Sequence, residues 1–505
     1  MGSSVGNFGK YLIHHNLKKS YIYILGIILI IISSCSDYDS WTTSVDARLT
    51  FGRDTVSFDT LISTISSSTQ RLLVYNNNKE GLRINEVRLK NAGMSPFRAN
   101  VDGQFLYDGY ARDFEIMSND SLFVLVEVTL PDANADTITT YTDSLCFLLE
   151  SGEMQYVTLL AGGQDAVHWY GVKVIDEDTT FHPRKPLIIY DSLYVSSGTT
   201  LTIEEGSQLY FHQHASMQVD GTLLINGTVS SPVVFRGDRT GNLFDYLPYD
   251  NTPQQWGGVY LYGSGHRFTY LDLHSSTFGI VAEDTDVEFS SCIIHNTGGN
   301  AIWSKNSRIK AYNTQISNAF GDLLHMIGGE VEMTFCTLAQ FYNFDATRGW
   351  ALSLRDYDVE YGDTMYYEMK RANFINSVIT GYGDDVISGS FIKEKKFQEP
   401  VNYYFSRCFL NTIYSDSDTS RFVRNIYENP EDTMSYGRQF VLFDEYTRQY
   451  DFTPDTLAHF CDSADVYWAE EFPLDRLGRS READGKADIG AYENVQRLKV
   501  EEKKK

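Results

Sequence analysis

HRFTYLDLHS (266–275), VEFSSCIIHN (287–296), IKAYNTQISN (309–318) and VEMTFCTLAQ (331–340) are one pattern written four times, with starts 21, 22 and 22 residues apart. Two further copies, ANFINSVITG from Ala372 and YYFSRCFLNT from Tyr403, follow after longer excursions. Aligned, the copies give one column Phe268, Phe289, Ala311, Met333, Phe374, Phe405 and another Leu273, Ile294, Ile316, Leu338, Ile379, Leu410. Such a period is one coil of a solenoid, in which each unit buries its apolar face against its neighbours. Both columns are therefore expected to point inward. Between them Leu271, Cys292, Thr314, Cys336, Ser377 and Cys408 form a file of mostly small residues suited to a narrow interior.

Identical register stacks like side chains in ladders, because successive strands lie about 4.8 Å apart. Ser275, Asn296, Asn318 and Gln340 share one position at a bend. They are expected to hydrogen-bond to one another and to turn backbone, a structural use. One column earlier His274 and His295 are adjacent, a pair suited to metal, yet the next coils offer only Ser317 and Ala339. No metal site and no cofactor is expected there. Upstream, from Pro186, the alternating residues Leu193, Val195, Leu201, Ile203, Leu209, Phe211, Met217, Val219, Leu223 and Ile225 supply one buried face per short strand, and Gly198, Gly206, Gly221 and Gly227 mark the bends.

Residues 47–166 read differently. Segments such as Leu82–Leu89, with one slip of phase, and 122–126 alternate apolar and polar residues and are separated by polar connectors. That is the pattern of short antiparallel strands in a sandwich. The order RLLVYNNNKEGLRINEV followed by FEIMSNDSLFVLVEV resembles the immunoglobulin-like modules beside the membrane anchor of many surface proteins. The resemblance implies a spacer or a partner-binding element.

At the N-terminus Lys18 and Lys19 precede an apolar run, 21–32, that ends in Ser33, Ser34 and Cys35. The run is short of the about 20 apolar residues a spanning helix needs, and small residues follow it, as in a cleaved signal peptide. Cleavage before Cys35 would leave its thiol to carry a diacylglycerol and its amine an acyl chain such as palmitate, which together hold a protein on a membrane without spanning it. Ser36, Asp37, Tyr38 and Asp39 then resemble the export signal that sends lipoproteins of Bacteroidota to the outer face of the outer membrane. The formal net charge of -25 removes the basic surface that nucleic-acid binding requires. Beyond Cys35 the cysteines Cys146, Cys292, Cys336, Cys408 and Cys461 are odd in number and lack metal-type spacing, so neither a disulfide framework nor a zinc site follows. Asp-Ser/Thr triplets beginning at Asp54, Asp59, Asp120, Asp136, Asp143, Asp178, Asp191, Asp363, Asp432, Asp455 and Asp462 resemble the O-glycosylation acceptor of Bacteroidota.

The repeats, the segment PQQWGGVYLYGSG with Trp256, Gly257 and Gly258, and the tail LDRLGRSREADGKADIGAYE (474–493) resemble the right-handed parallel β-helix repeat lipoproteins of Bacteroidota. The resemblance covers about 186–493 and implies that the tail ends the solenoid. The expected class is thus all-β: a signal peptide, 1–34; a tether, 35–46; an immunoglobulin-like sandwich, 47–166; a linker, 167–185; a right-handed β-helix, 186–493, with inserts near 341–371 and 413–467; and a charged tail, 494–505.

Parallel β-helices include polysaccharide lyases and hydrolases, and a polygalacturonase-like hydrolase needs paired carboxylates. Asp384-Asp385 resembles one motif of that family and Arg308-Ile309-Lys310 another, but their order is reversed and its Gly-His-Gly and Asn-Thr-Asp elements have no counterpart. Asp384 and Asp385 are the first suspects if the chain is such an enzyme. No coil shows the acidic cation site beside a basic residue that a calcium-assisted lyase needs. The inserts, rich in Tyr, Asp and Arg, present Tyr357, Tyr361, Tyr366, Tyr367, Tyr446 and Tyr450 for sugars or protein partners, or else merely cover the solenoid. The sequence favours a non-catalytic outer-membrane lipoprotein, binding a polysaccharide or serving an outer-membrane protein complex. A carbohydrate-active enzyme is the alternative.

Overall fold

The computed structural model describes residues 40–244, 246–390, 402–413, 420–483 and 485–494. The signal segment, Cys35 and nearly all of the charged tail lie outside the described residues. The chain divides into two compact units, one taking residues up to 56, 69–127 and 142–159, the other 57–68, 128–141 and 160 onward.

The N-terminal strands make two five-stranded antiparallel sheets. One runs Thr50–Phe51, Gln70–Asn76, Asp120–Val128, Phe97–Val101, Gln104–Phe105; the other runs Thr55–Ile62, Met154–Gln164, Thr139–Leu149, Leu82–Leu89, Tyr110–Ile116. Phe51 of the first lies 5.1 Å from Phe147 of the second, so their apolar faces share a core. The slip of phase in Leu82–Leu89 is a β-bulge: register against Thr139–Leu149 shifts between Ile84 and Glu86, and burial jumps from Leu82 and Ile84 to Val87 and Leu89. An extra residue inserted there re-aims the alternation that follows it.

From Val167 onward the chain winds as a parallel β-helix with three long faces. Face A holds eleven strands from Val167–Trp169 to Ile426–Tyr427, face B nine from Lys173–Ile175 to Ile387–Ser390, and face C ten from Thr179–Phe181 to Phe422–Val423. Phe268 pairs in register with Phe289, Phe289 with Ala311, Ala311 with Met333, Met333 with Phe374 and Phe374 with Phe405. These residues, the Leu273 column, and the cysteines of the small file are all buried. Burial pushes the thiols of Cys292, Cys336 and Cys408 up to about 12, which keeps them protonated and inert. The alternating residues from Leu193 to Ile225 are likewise buried.

From the coil that begins at His266 onward, the corner between faces C and A turns on a left-handed residue: Tyr270, Ser291, Asn313, Phe335, Asn376, Arg407 and Arg424 have φ of 48–56°. Ser275, Asn296 and Asn318 occupy a second such column, with φ of 62°, 53° and 55°. Asparagine tolerates this conformation better than other side chains with a Cβ, which explains its recurrence. Their side chains bond mainly to loop backbone rather than along the ladder: Ser275 Oγ donates to Asp250 O at 2.6 Å, and Gln340 Nε2 to Gly321 O at 2.8 Å.

Three expectations are corrected by the strand pairing. Residues read as a linker form the first coil, because Val167–Trp169, Lys173–Ile175 and Thr179–Phe181 pair in parallel with the strands of the next. The two inserts contain coil strands, Leu352–Arg355, Phe422–Val423 and Ile426–Tyr427, set among excursions that break the 21–22-residue spacing. What actually leaves the coils includes two antiparallel hairpins, Tyr357–Glu360 with Asp363–Tyr366 and Phe440–Asp444 with Gln449–Pro454. The closing motif does not end the solenoid; it lies along the outside of face A. Gly490 N donates to Asn376 O at 2.8 Å and Ala491 N to Thr337 Oγ1 at 3.0 Å. Ile489, Ala491, Phe440, Phe452 and Phe460 pack there onto Ala339, Phe341, Val378 and Phe409.

Candidate functional site

Where this cover meets the coils it leaves a cleft of about 520 Å³. Its floor is the outward side of face A, with His295, Gln315 and Ser317, and the corner asparagines Asn296 and Asn318. One wall is the hairpin residues Arg448, Gln449, Tyr450 and Asp451; the other is Arg476, Leu477 and Tyr492 of the closing segment. Asn251 completes the rim and donates to Arg448 O at 3.1 Å, tying two loops together. Gln315 is fixed from both ends, donating to Ser317 Oγ at 3.0 Å and accepting from Tyr492 OH at 2.5 Å.

Among the described residues, three buried polar atoms around this cleft have no hydrogen-bond partner: Asn318 Oδ1, Tyr450 OH and Arg476 Nε. Burial pushes the Tyr450 phenol up to about 12, so it remains a neutral donor and acceptor. An unpaired buried polar group costs about 1–3 kcal/mol, so these atoms mark the cleft walls as less than fully satisfied.

Behind the cleft wall, Asp272 and His274 stand on the outward side of Leu271–His274, and His295 is the register partner of His274 one coil later. Asp272 Oδ1 is 3.0 Å from His274 Nδ1 and 3.3 Å from His295 Nε2. Asp250 Oδ1, held by Arg236 at 2.5 Å, lies 3.6 Å from His274 Nε2. Burial works to lower the His274 pKa, but the facing carboxylates Asp272 and Asp250 outweigh it and raise it to about 9. The two histidines stand out in the sequence as neighbours in one column; the aspartates do not. Asp272 was legible, since it alternates with His274 on one strand; Asp250 comes from a loop and carries no such signal.

The six tyrosines do not converge. Tyr357, Tyr361, Tyr366 and Tyr367 belong to the first hairpin and its flanks, where Tyr357 OH meets Ser390 Oγ at 3.1 Å and Tyr367 OH donates to Glu360 at 2.8 Å. Tyr361 is fully exposed at the turn. Tyr446 stacks on Tyr246 with centroids 4.9 Å apart, and only Tyr450 lines the cleft. Asp384 is exposed, and Asp385 accepts from Ile387 N at 3.0 Å, shaping a turn. Neither lines the cleft, whose lining holds a single carboxylate, Asp451.

Residues 257–351 match a family model described as a right handed beta helix region. No curated protein matches the chain. Among solved structures, it resembles a PapD-like domain of human CEP192 at 12% identity, covering 26% of this chain and 96% of that one, with a TM-score of 0.17. A family 123 glycoside hydrolase from Clostridium perfringens aligns at 8% identity over 23% of this chain and 26% of its own, also at 0.17. A protein of unknown function from Porphyromonas gingivalis W83 aligns at 13% identity, over 30% and 60%, with the same score. Scores this low carry no argument about function. The family match and the three parallel faces together make this chain a right-handed parallel β-helix protein with antiparallel sheets at its N-terminus.

Proposed function

We propose that the chain is an outer-membrane lipoprotein, anchored through Cys35 and facing the exterior, whose β-helix binds a glycan without cleaving it and whose immunoglobulin-like sandwich is the spacer. The observation that carries the ligand reading is the cleft itself, lined by Asn296, Gln315, Asn318, Arg448, Tyr450 and Arg476. Amide, phenol and guanidinium side chains suit a polyhydroxylated ligand, which offers donors and acceptors together, while the Tyr450 ring supplies an apolar face for sugar C–H groups. Glycoside hydrolysis needs two carboxyl groups across the scissile bond. The cleft lining presents Asp451 alone, and its Oδ1 already accepts from Thr453 N at 2.9 Å.

Lipid anchoring rests on the signal segment and Cys35, and exterior exposure on the acidic residues after it. The glycosylation triplets fit an exported protein: Thr55, Ser121, Thr137, Thr364 and Thr433 present exposed hydroxyl residues. The test is a glycan array probed with the full chain, followed by calorimetry of any hit against Tyr450→Ala and Asp384→Asn/Asp385→Asn variants. Binding lost in the first and kept in the second supports the reading. Cleavage of a uronic-acid polymer that disappears in the double aspartate variant would replace it with the enzymatic one.

A further inference from the structure

We propose that Asp272, His274 and His295 form a binding site for one divalent transition-metal ion, with zinc as the fitting occupant. The solenoid itself assembles the ligands. Asp272 and His274 are two residues apart on one strand and so share its outward side, and parallel register sets His295 directly beside His274. One donor atom from each of the three lies within 4.8 Å of the others. Zinc ligands at about 2.0–2.1 Å in a tetrahedron stand about 3.3 Å from one another. The 3.0 Å and 3.3 Å separations from Asp272 Oδ1 to the two imidazoles match two edges of such a tetrahedron, and the third, between the imidazoles, is within 4.8 Å.

A second observation points the same way. His274 is only 6% exposed, and its Nε2 is buried with no hydrogen-bond partner while facing Asp250 Oδ1 at 3.6 Å. With Nδ1 turned to the metal, Nε2–H would close on Asp250, the carboxylate–histidine–metal arrangement that fixes ring orientation and tautomer. Arg236 at 2.5 Å keeps that carboxylate in place. Two imidazoles and one carboxylate suit zinc and related ions rather than magnesium or calcium, which prefer all-oxygen sets. Three protein ligands leave a fourth coordination position for water or another donor, and one of the three, His295, also lines the cleft.

The test uses the full-length lipoprotein in mild detergent, stripped with chelator and titrated with zinc chloride by calorimetry, with bound metal counted by elemental mass spectrometry. One zinc per chain is expected, weakened about 100-fold or more by Asp272→Asn and by His295→Gln while circular dichroism stays unchanged. Loss of fold in Asp272→Asn leaves the decision to His295→Gln, whose side chain is partly exposed. No saturable zinc uptake, or uptake indifferent to His295→Gln, overturns the site. Metal is measured without any saccharide, so a chain that takes zinc but binds no glycan keeps this inference and loses the ligand reading alone.

Discussion

Replacing Arg481 should release the closing segment from the solenoid. Its side chain is wholly buried, donating to Glu493 Oε1 at 2.6 Å, Asn313 Oδ1 at 2.8 Å and Gly490 O at 3.1 Å, with the guanidinium 3.8 Å from the centre of the Phe335 ring. One side chain thus joins two of the left-handed corner residues, Asn313 and Phe335, to the strap that covers them. Arg481→Met keeps much of the apolar stem but removes the three donated hydrogen bonds, among them the one to Glu493, whose carboxyl burial pushes up to about 9 and so keeps neutral. Leaving buried acceptors unpaired costs about 1–3 kcal/mol, which is roughly one to two orders of magnitude in a local opening equilibrium. Hydrogen exchange read by mass spectrometry should show that loss of protection in peptides covering 474–494 and much less of it in the early coils. Adding Glu493→Gln to Arg481→Met should change protection little further, because the buried carboxyl is already uncharged at neutral pH. Protection unchanged within threefold in Arg481→Met, or a double variant worse than the single, would refute the reasoning.

Other outcomes follow from the same geometry. Asp165 is buried, and although burial raises its pKa, hydrogen bonds including those from Ala133 N and Ala135 N dominate and hold it at about 2. A depressed carboxyl stabilises the fold above its unfolded pKa and loses that contribution as pH falls. Asp165→Asn should therefore cost about 2 kcal/mol at neutral pH, with the gap to the parent closing between about pH 4 and pH 2 in denaturant titrations. Gly221→Ala should destabilise the second and third coils, because its Cβ would lie 2.1 Å from Thr199 O and 2.4 Å from Ser196 O. Poor soluble yield or early proteolysis near residue 200 is the expected readout, and parent-like behaviour would contradict the tight corner. Cys35→Ala should move the protein from the membrane fraction to the soluble one, and mass spectrometry of the parent should find a lipidated N-terminal cysteine.

The solenoid was legible because stacking repeats a side chain's environment every coil. The Phe268 and Leu273 columns can be aligned without knowing a single contact. The slip at residues 84–86 was legible too, as a break in alternation whose meaning was a bulge. The course of residues 428–494 was not: their hydrogen bonds to Thr337 and Asn376 span from 89 to 154 residues and have no period. The cleft arises from that same fold-back, which is why Tyr450 could be named from composition but not told apart from Tyr361. Ser275, Asn296 and Asn318 stood out by residue type, yet their cause, a left-handed backbone, is a conformational preference rather than a spacing.

The most direct test of the account is where a bound glycan protects the chain. Hydroxyl-radical footprinting of the full chain, with and without a saccharide selected on the array, should show protection at Tyr450, Arg448 and His295 and none at Tyr361 or Tyr357. Protection confined to the first hairpin, or at Asp384 and Asp385, would contradict the claim that the cleft beside face A is the binding site.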